Sequence, residues 1–164
     1  MSTYARRSAR VLLIDASDRL LLIRSLHISG QSESGHVWLT PGGGIERGED
    51  LATAAVRELH EEIGLHADPA DLRHVAYTTG HADLGWANGL FRDDFLLHRV
   101  TSHEVDITNQ TDLERGHYGG HRWWTPADLA TTTETIYPSQ LANLLHGLLA
   151  GQFPVQPIEL PWHH

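Results

Sequence analysis

Three glutamates stand close together on one short segment of the sequence: Glu58, Glu61 and Glu62. Spacings of three and four residues place all of them on one side of a helix, because an α-helix turns about 100° per residue. Like charges at these spacings repel, by roughly 0.2–0.5 kcal/mol per exposed pair. Divalent cations with oxygen ligands offset such repulsion, and Mg²⁺ is commonly held by carboxylates together with substrate phosphates. The alternative is a plain acidic face in contact with solvent.

The element that must position these carboxylates is a helix over residues 50–63, preceded by a glycine-rich loop. Its apolar residues recur at i, i+4, i+7 and i+11 and form one face. They are Ala52, Val56, Leu59 and Ile63. Gly64 follows, where a capping glycine takes a positive φ at no steric cost. Upstream, Gly42, Gly43 and Gly44 indicate a backbone that turns sharply or lies close to a ligand.

Loop and helix together have a specific spacing. Gly43 is followed after five residues by Glu49, after seven more by Arg57-Glu58-Leu59, and then by Glu61-Glu62 and Gly64-Leu65. This pattern resembles the complete signature of the Nudix hydrolase family. The residues just before it, 38–42, match the usual lead-in. The lead-in and the motif together span residues 38–65, about a sixth of the chain.

The resemblance implies an α/β fold, an α/β/α sandwich with a mixed β-sheet. The order of predicted elements agrees with it, because strands precede and follow the helix of the motif and a second helix lies near the C-terminus. We expect a single domain over residues 1–164, with 152–164 as an extended C-terminal tail. Asn88-Gly89 predicts a hairpin turn, and the helix predicted over 138–149 has Tyr137 or Ser139 as its N-cap.

The activity that the resemblance implies is a Mg²⁺-dependent pyrophosphohydrolase reaction, with Mn²⁺ as a possible substitute. Water attacks the diphosphate bond of a nucleoside diphosphate linked to another group. The chemistry explains the need for metal, since divalent cations neutralise phosphate oxygens and acidify the attacking water. The alternative is a non-catalytic nucleotide- or metabolite-sensing domain, which would be expected to lose signature glutamates, and all of them are present here.

The resemblance also assigns metal-binding roles residue by residue. Glu58, Glu61 and Glu62 match the metal-binding glutamates, and the carbonyl of Gly42 matches a backbone ligand. The general base stays open: Glu58 and Glu61 are the local candidates, and Glu114 is the distal one. Glu114 is otherwise an ordinary loop charge.

Other motif residues are expected to hold the site together or to contact substrate. Arg57 matches the arginine that pairs with a signature glutamate, here Glu49, and so ties the loop to the helix. Gly64 is expected to have a structural role as well, as the residue that ends the helix. We expect Gly43, Gly44 and Arg24 to contact the substrate.

Composition narrows the class of partner. The net charge is −9, from 12 basic and 21 acidic residues, which argues against a basic nucleic-acid groove. A small nucleoside diphosphate derivative is the expected partner, and a homodimer stays possible. The sequence has no cysteine, which excludes thiolate metal sites and favours a cytoplasmic protein. It also has no apolar run long enough for a membrane span, so we expect no membrane contact.

The substrate itself is left open. No proline lies between Asp71 and Thr125, unlike the ADP-ribose type, and Tyr77 does not fit the spacing of the dinucleoside polyphosphate type. Nucleoside triphosphates and nucleoside diphosphate sugars remain. Substrate specificity is expected to depend on residues 28–36, 80–89 and 104–120, which have the composition of loops.

Trp123 and Trp124 are neighbours on a predicted strand, so their side chains point to opposite faces of the sheet. The favoured interpretation is that both pack in the core.

Overall fold

The computed structural model describes residues 4–26, 36–83, 85 and 87–162. These residues form nine strands and four α-helices. In chain order they are β1 (Tyr4–Ile14), β2 (Leu20–Leu26), β3 (His36–Leu39), β4 (Gly42–Gly44), α1 (Leu51–Ile63), β5 (Arg73–Asp83), β6 (Asn88–Arg99), α2 (Asp112–His117), β7 (Tyr118–Trp124), α3 (Pro126–Thr131), β8 (Ile136–Tyr137), α4 (Leu141–Leu149) and β9 (Ile158–Glu159).

The strands form one mixed sheet in the order β8-β3-β2-β1-β6-β5-β9, with β4 paired to β1 and β7 paired to β2. β1 runs parallel to β6, while β1 and β2 are antiparallel and pair at Ile14 and Leu20. Away from this point the two strands separate. β1 then pairs with β4 through Ser8, Ala9 and Arg10, and β2 pairs with β3 and β7.

Each face of the sheet carries its own apolar core. On one side Leu12, Phe95 and Trp124 pack with the leucines of α4. On the other side Val11 and Leu21 pack against α1. Helices therefore cover both faces, which confirms the predicted α/β/α sandwich with a mixed sheet.

Helix α1 ends at the predicted residue and begins one residue later than predicted, because Asp50 is its N-cap and not its first residue. The side chain of Asp50 accepts a hydrogen bond from the backbone N–H of Thr53, and Gly64 ends the helix with a φ of 70°. The buried face differs slightly from the predicted one. Ala55 is fully buried, whereas Val56 is only partly buried and stays outside the apolar core.

The structure differs from the sequence prediction in one additional helix, the position of one turn and one helix N-cap. The segment 104–120 contains α2, so it is not only a loop. Asn88 and Gly89 belong to β6 and pair with Asp83 and Ala82, so the hairpin turn lies before them. Helix α4 has Gln140 at its N-cap position, with a φ of 67° and no side-chain cap, instead of Tyr137 or Ser139.

Part of the C-terminal segment, which was predicted as an extended tail, pairs with the edge of the sheet. β9 pairs in parallel with β5, and the N–H of Leu160 donates a 2.8 Å hydrogen bond to the carbonyl of Tyr77. Leu160 is buried in the core. In the segment 28–36, only His36 lies inside the described residues.

The two adjacent tryptophans lie on opposite faces, and both pack against a core. Trp124 is fully buried and meets Trp38 edge to face at 5.2 Å between ring centroids. Trp123 packs against the core under α1. In the described part of the chain, none of the helices has the length and apolar character required for a membrane span.

Candidate active site

A cavity of about 740 Å³ lies where β1 and β2 separate. Arg6, Ser8 and Arg10 of β1 form one wall, and Ile23 and Ser25 of β2 belong to the opposite side. The glycine loop, α1 and α2 also contribute lining residues. A volume of this size is typical of small-molecule sites.

Three carboxylates from two helices meet at this cavity. Glu58 and Glu62 of α1 and Glu114 of α2 each offer an oxygen within 4.8 Å of the others. Glu58 is buried, with 7% of its surface exposed. Burial raises the pKa of Glu58 despite the opposing effect of Arg57, and burial also raises the pKa of Glu62 to about 8. The structure thus brings together two predicted metal ligands and the distal candidate.

The glycine loop orients Glu62. The N–H of Gly42 donates to Oε2 of Glu62 at 2.8 Å, and the carbonyl of Gly42 accepts a bond from Nη1 of Arg10 at 3.1 Å. Gly42 has a φ of 141°, and a Cβ there would lie 2.1 Å from the carbonyl oxygen of Ala9. Only glycine therefore lets the loop pack this closely on β1.

Arg57 joins the loop to the helix through several hydrogen bonds. Nε and Nη2 bind the two oxygens of Glu49, each at 2.8 Å, and Nη2 also donates to the carbonyl of Gly44 at 2.9 Å. Nη1 donates to Glu58 at 2.9 Å. The predicted ion pair with Glu49 is present, and the hydrogen bond from Arg57 holds the pKa of Glu49 below its usual range.

Glu61 lines the cavity but stands outside the group of three carboxylates. Its Oε2 lies 3.3 Å from Nη1 of Arg57, and 38% of its side chain is exposed. It is therefore more accessible than Glu58, and its predicted role as a metal ligand or base remains a prediction.

The other glycines of the loop keep space for charged side chains of both signs. A Cβ on Gly43 would lie 2.8 Å from the carboxylate of Glu58, and a Cβ on Gly44 would lie 3.3 Å from the guanidinium of Arg6. Both glycines line the cavity. Their predicted contact with substrate remains a prediction.

Glu114 owes its position to the start of α2. The side chain of Thr111 caps this helix by accepting from the N–H of Glu114, and Oε1 of Glu114 accepts from the N–H of Thr111 at 3.0 Å. This reciprocal capping box has a recognisable sequence pattern, a threonine followed by a glutamate three residues later. That signal could have predicted α2 from the sequence.

The structure does not bring Arg24 to the cavity. Arg24 lies between Ile23 and Ser25, and neighbouring strand residues point to opposite faces. Ile23 and Ser25 line the cavity, whereas Nη2 of Arg24 contacts Nδ1 of His36 at 2.9 Å.

Arg6, Arg10 and Gln110 are among the polar residues of the cavity that sequence reasoning missed. Arg6, Ser8 and Arg10 stand two residues apart on β1, and this period of two, which places them on one face of a strand, was the available signal. Gln110 is 5% exposed, and its Nε2 donates to the carbonyl of Glu62 at 2.9 Å. Its Oε1 has no hydrogen-bond partner among the described residues.

The donor set suits a hard divalent cation. All the side-chain donors of the cluster are carboxylate oxygens, and Mg²⁺ and Mn²⁺ prefer oxygen ligands over nitrogen or sulfur. Burial raises the pKa values of Glu58 and Glu62, and a positive charge close to both would offset the cost of ionising them. Such a cation would be held by Glu58, Glu62 and Glu114.

Comparison with known proteins identifies the family to which this α/β/α sandwich and its acidic cavity belong. The family model for the NUDIX domain matches residues 5–144. The chain belongs to the Nudix hydrolase family.

Curated relatives match over about two fifths of the chain. An RNA pyrophosphohydrolase from Sphingopyxis alaskensis is 37% identical over 67 residues, which cover 41% of this chain and 39% of the relative. The m7GpppN-mRNA hydrolase NUDT17 from Danio rerio is 42% identical over 62 residues, or 38% of this chain and 20% of the relative. The matched part thus spans about a fifth to two fifths of these relatives.

Solved structures share the fold over most of the chain. A MutT Nudix hydrolase from Burkholderia pseudomallei has a TM-score of 0.62 at 18% identity, covering 86% of this chain and 95% of that one. A MutT protein from Methanosarcina mazei Go1 has a TM-score of 0.61 at 14% identity, covering 92% and 97%. A Caenorhabditis elegans Ap4A hydrolase has a TM-score of 0.55 at 16% identity, covering 88% and 96%.

Proposed function

We propose that this protein is a Mg²⁺-dependent pyrophosphohydrolase, which cleaves the diphosphate bond of a nucleoside diphosphate linked to another group. One observation carries the proposal: the carboxylates of Glu58, Glu62 and Glu114 converge within 4.8 Å at the wall of the cavity. Membership of the Nudix family supports the reaction class. A divalent cation at such a site neutralises phosphate oxygens and acidifies water.

The chain's own residues prepare this site before substrate arrives. Arg57 holds Glu58 in place while the N–H of Gly42 orients Glu62. Arg10 faces the cavity beside the loop, where its guanidinium attracts an anionic diphosphate. Preorganised charges of this kind lower the barrier because they need no rearrangement during the reaction.

The proton of the attacking water needs an acceptor, and two carboxylates are available for that role. Glu61 lies outside the group of three and is partly exposed. Glu114 belongs to the group, so it serves either as a ligand of the cation or as the base. A general base must lie within hydrogen-bond reach of the proton, directly or through one water.

For the substrate we propose a nucleoside triphosphate or a nucleoside diphosphate sugar. The cavity has room for a molecule of this size, and both arginines and carboxylates line it. The names of the relatives add three further compounds that need testing: RNA with a 5′-triphosphate, capped RNA and Ap4A.

The deciding experiment incubates the protein with Mg²⁺ and a panel of these compounds and identifies the products by mass spectrometry. Glu62→Gln removes one carboxylate of the group and serves as the inactive reference. Glu104→Gln is the matched control, because Glu104 is exposed and lies outside the cavity. We expect turnover by the wild type and by Glu104→Gln. Absence of turnover above the Glu62→Gln level for every compound would refute the hydrolase and favour a sensing domain.

A further inference from the structure

The C-terminal segment contributes to the cavity although it lies outside the part of the chain that the family model matches. That match ends at residue 144, whereas Trp162 lines the cavity. The pairing of β9 with β5 and the buried side chain of Leu160 anchor the segment just before Trp162. Trp162 is therefore held at the cavity by main-chain and core contacts.

The position of Trp162 depends on a glycine of β5. A Cβ on Gly80 would lie 2.1 Å from the indole ring, so the ring rests directly on the backbone of this residue. Across the β5–β6 pair Gly80 faces Phe91. The rings of Phe91 and Trp162 are nearly parallel, at 19°, with their centroids 6.4 Å apart. Both rings line the cavity and form one aromatic wall.

We propose that Phe91 and Trp162 bind the nucleobase of the substrate by stacking. This inference rests on the proposed function, because the acidic group and its cation account for the diphosphate but leave the nucleoside without a contact. A nucleobase is the planar aromatic part of such a substrate, and aromatic side chains stack on it. Stacking tolerates every base, since each has a π-face. The wall thus selects nucleotides over base-free phosphates without choosing among bases.

The experiment measures binding without turnover. Titration calorimetry in the presence of Mg²⁺ compares five probes: AMP, GMP, CMP, UMP and ribose 5-phosphate. None of them contains a diphosphate bond. We expect Trp162→Ala to weaken binding of each nucleotide about tenfold, and to leave ribose 5-phosphate unchanged. Trp162→Phe keeps an aromatic ring and should retain most of the affinity.

Two further variants separate stacking from a general loosening of the segment. Gly80→Ala leaves both aromatic residues in the sequence but forces the indole ring to shift, so it should weaken nucleotide binding as Trp162→Ala does. Phe153→Ala removes an aromatic ring of the same segment that packs on Arg73 outside the cavity. We expect Phe153→Ala to bind all five probes as the wild type does.

Two results would overturn the inference. One is equal nucleotide affinity in the wild type and Trp162→Ala, when thermal melting shows a cooperative unfolding transition for both proteins. The other is an equal loss for ribose 5-phosphate and the nucleotides. Hydrolysis plays no part in these titrations. Failure of the turnover assay therefore refutes the proposed reaction alone, and failure of the titrations refutes the aromatic wall alone.

Discussion

The backbone N–H of Gly42 donates a 2.8 Å hydrogen bond to Oε2 of Glu62, although twenty residues separate the two positions. This bond fixes the loop against the helix and directs a partly buried carboxylate toward the cavity. It also opposes the effect of burial on Glu62, because a hydrogen bond to the charged form favours ionisation. Burial nevertheless dominates, and the pKa of Glu62 stays raised, at about 8.

The raised pKa of Glu62 predicts how stability changes with pH when no metal is present. The folded value of about 8 exceeds the ordinary value of 4.5, so the folded protein is favoured at low pH and loses stability as pH rises through 8. Glutamine does not ionise, so Glu62→Gln should not lose stability in this way as pH rises. At about 1.36 kcal/mol per pKa unit, with a discount for partial exposure, the gain at pH 8.5 is on the order of 2 kcal/mol.

Melting curves in EDTA check this prediction. The variant should melt about 5 °C higher than the wild type at pH 8.5 and at nearly the same temperature at pH 5. Saturating Mg²⁺ should stabilise the wild type more than Glu62→Gln. A wild-type melting temperature that rises between pH 5 and pH 8.5 in EDTA, relative to the variant, would contradict the expected sign.

Gly43→Ala tests whether the loop keeps space for Glu58. The added Cβ would lie 2.8 Å from the carboxylate, so this side chain must move out of the acidic group. We expect kcat/KM to fall about tenfold or more, because misplaced catalytic groups lose their effective concentration. The melting temperature should change little, since the side chain of Glu58 can turn toward the cavity.

Gly147→Ala is the matched control for this substitution. Gly147 lies in α4, and its nearest neighbour would be the side chain of Gln152 at 3.6 Å, an ordinary contact. Alanine in a helix is favoured over glycine by about 0.5–1 kcal/mol, so this variant should be slightly more stable and fully active. Full activity of Gly43→Ala would show that the position of Glu58 does not depend on the glycine.

The sequence predicted what local patterns encode. The bounds of α1, the cap at Gly64 and the ion pair between Arg57 and Glu49 all follow from residues close together in the chain. Glu114 was also a candidate, and the structure brings it to Glu58 and Glu62. Its role remains a prediction.

Other parts of the site depend on pairings between distant residues. The separation of β2 from β1 determines which residues of β2 face the cavity. No local pattern in the sequence indicates this separation, so it did not distinguish Arg24 from its neighbours. Trp162 reaches the cavity because β9 pairs with β5 and Gly80 leaves space for its ring. Such contacts join segments about eighty residues apart, so periodicity and turn signals could not predict them.

Asp94 is a buried carboxylate outside the cavity, and its titration has the opposite sign to that of Glu62. Its side chain is 0% exposed and lies 3.0 Å from Arg7 and 2.9 Å from Arg92. Burial alone would raise its pKa, but hydrogen bonds from Arg92 and Arg7 outweigh burial and lower it. Stability from this group is therefore present above the ordinary pKa of an aspartate and is lost as pH falls through the folded value.

Asp94→Asn should cost about 3–5 kcal/mol at pH 7, because it leaves two arginines without their buried partner. The cost should shrink as pH falls below about 4, because the aspartate of the unfolded chain takes up a proton there while the folded state still holds it ionised. Urea denaturation at several pH values measures it. Asp18→Asn, which removes an exposed ion pair with Arg99, should cost less than about 1 kcal/mol at every pH. Equal costs at both positions would argue against the buried cluster.

Glu114 has two structural duties that can be separated by substitution. Its Oε1 completes the capping box with Thr111, and its carboxylate lies in the group with Glu58 and Glu62. Glutamine also completes a capping box, so Glu114→Gln keeps the cap and removes only the charge. Glu114→Ala removes both, and loss of a cap costs about 1 kcal/mol.

We therefore expect the two variants to share one defect and differ in another. Both should bind Mg²⁺ about tenfold more weakly than the wild type, because one anionic ligand is lost. Only Glu114→Ala should also melt lower, by about 3 °C. Calorimetric Mg²⁺ titration and thermal melting measure the two effects independently. If Glu114→Gln binds Mg²⁺ normally but loses kcat, Glu114 is the general base, since a base acts on the attacking water without having to bind the cation.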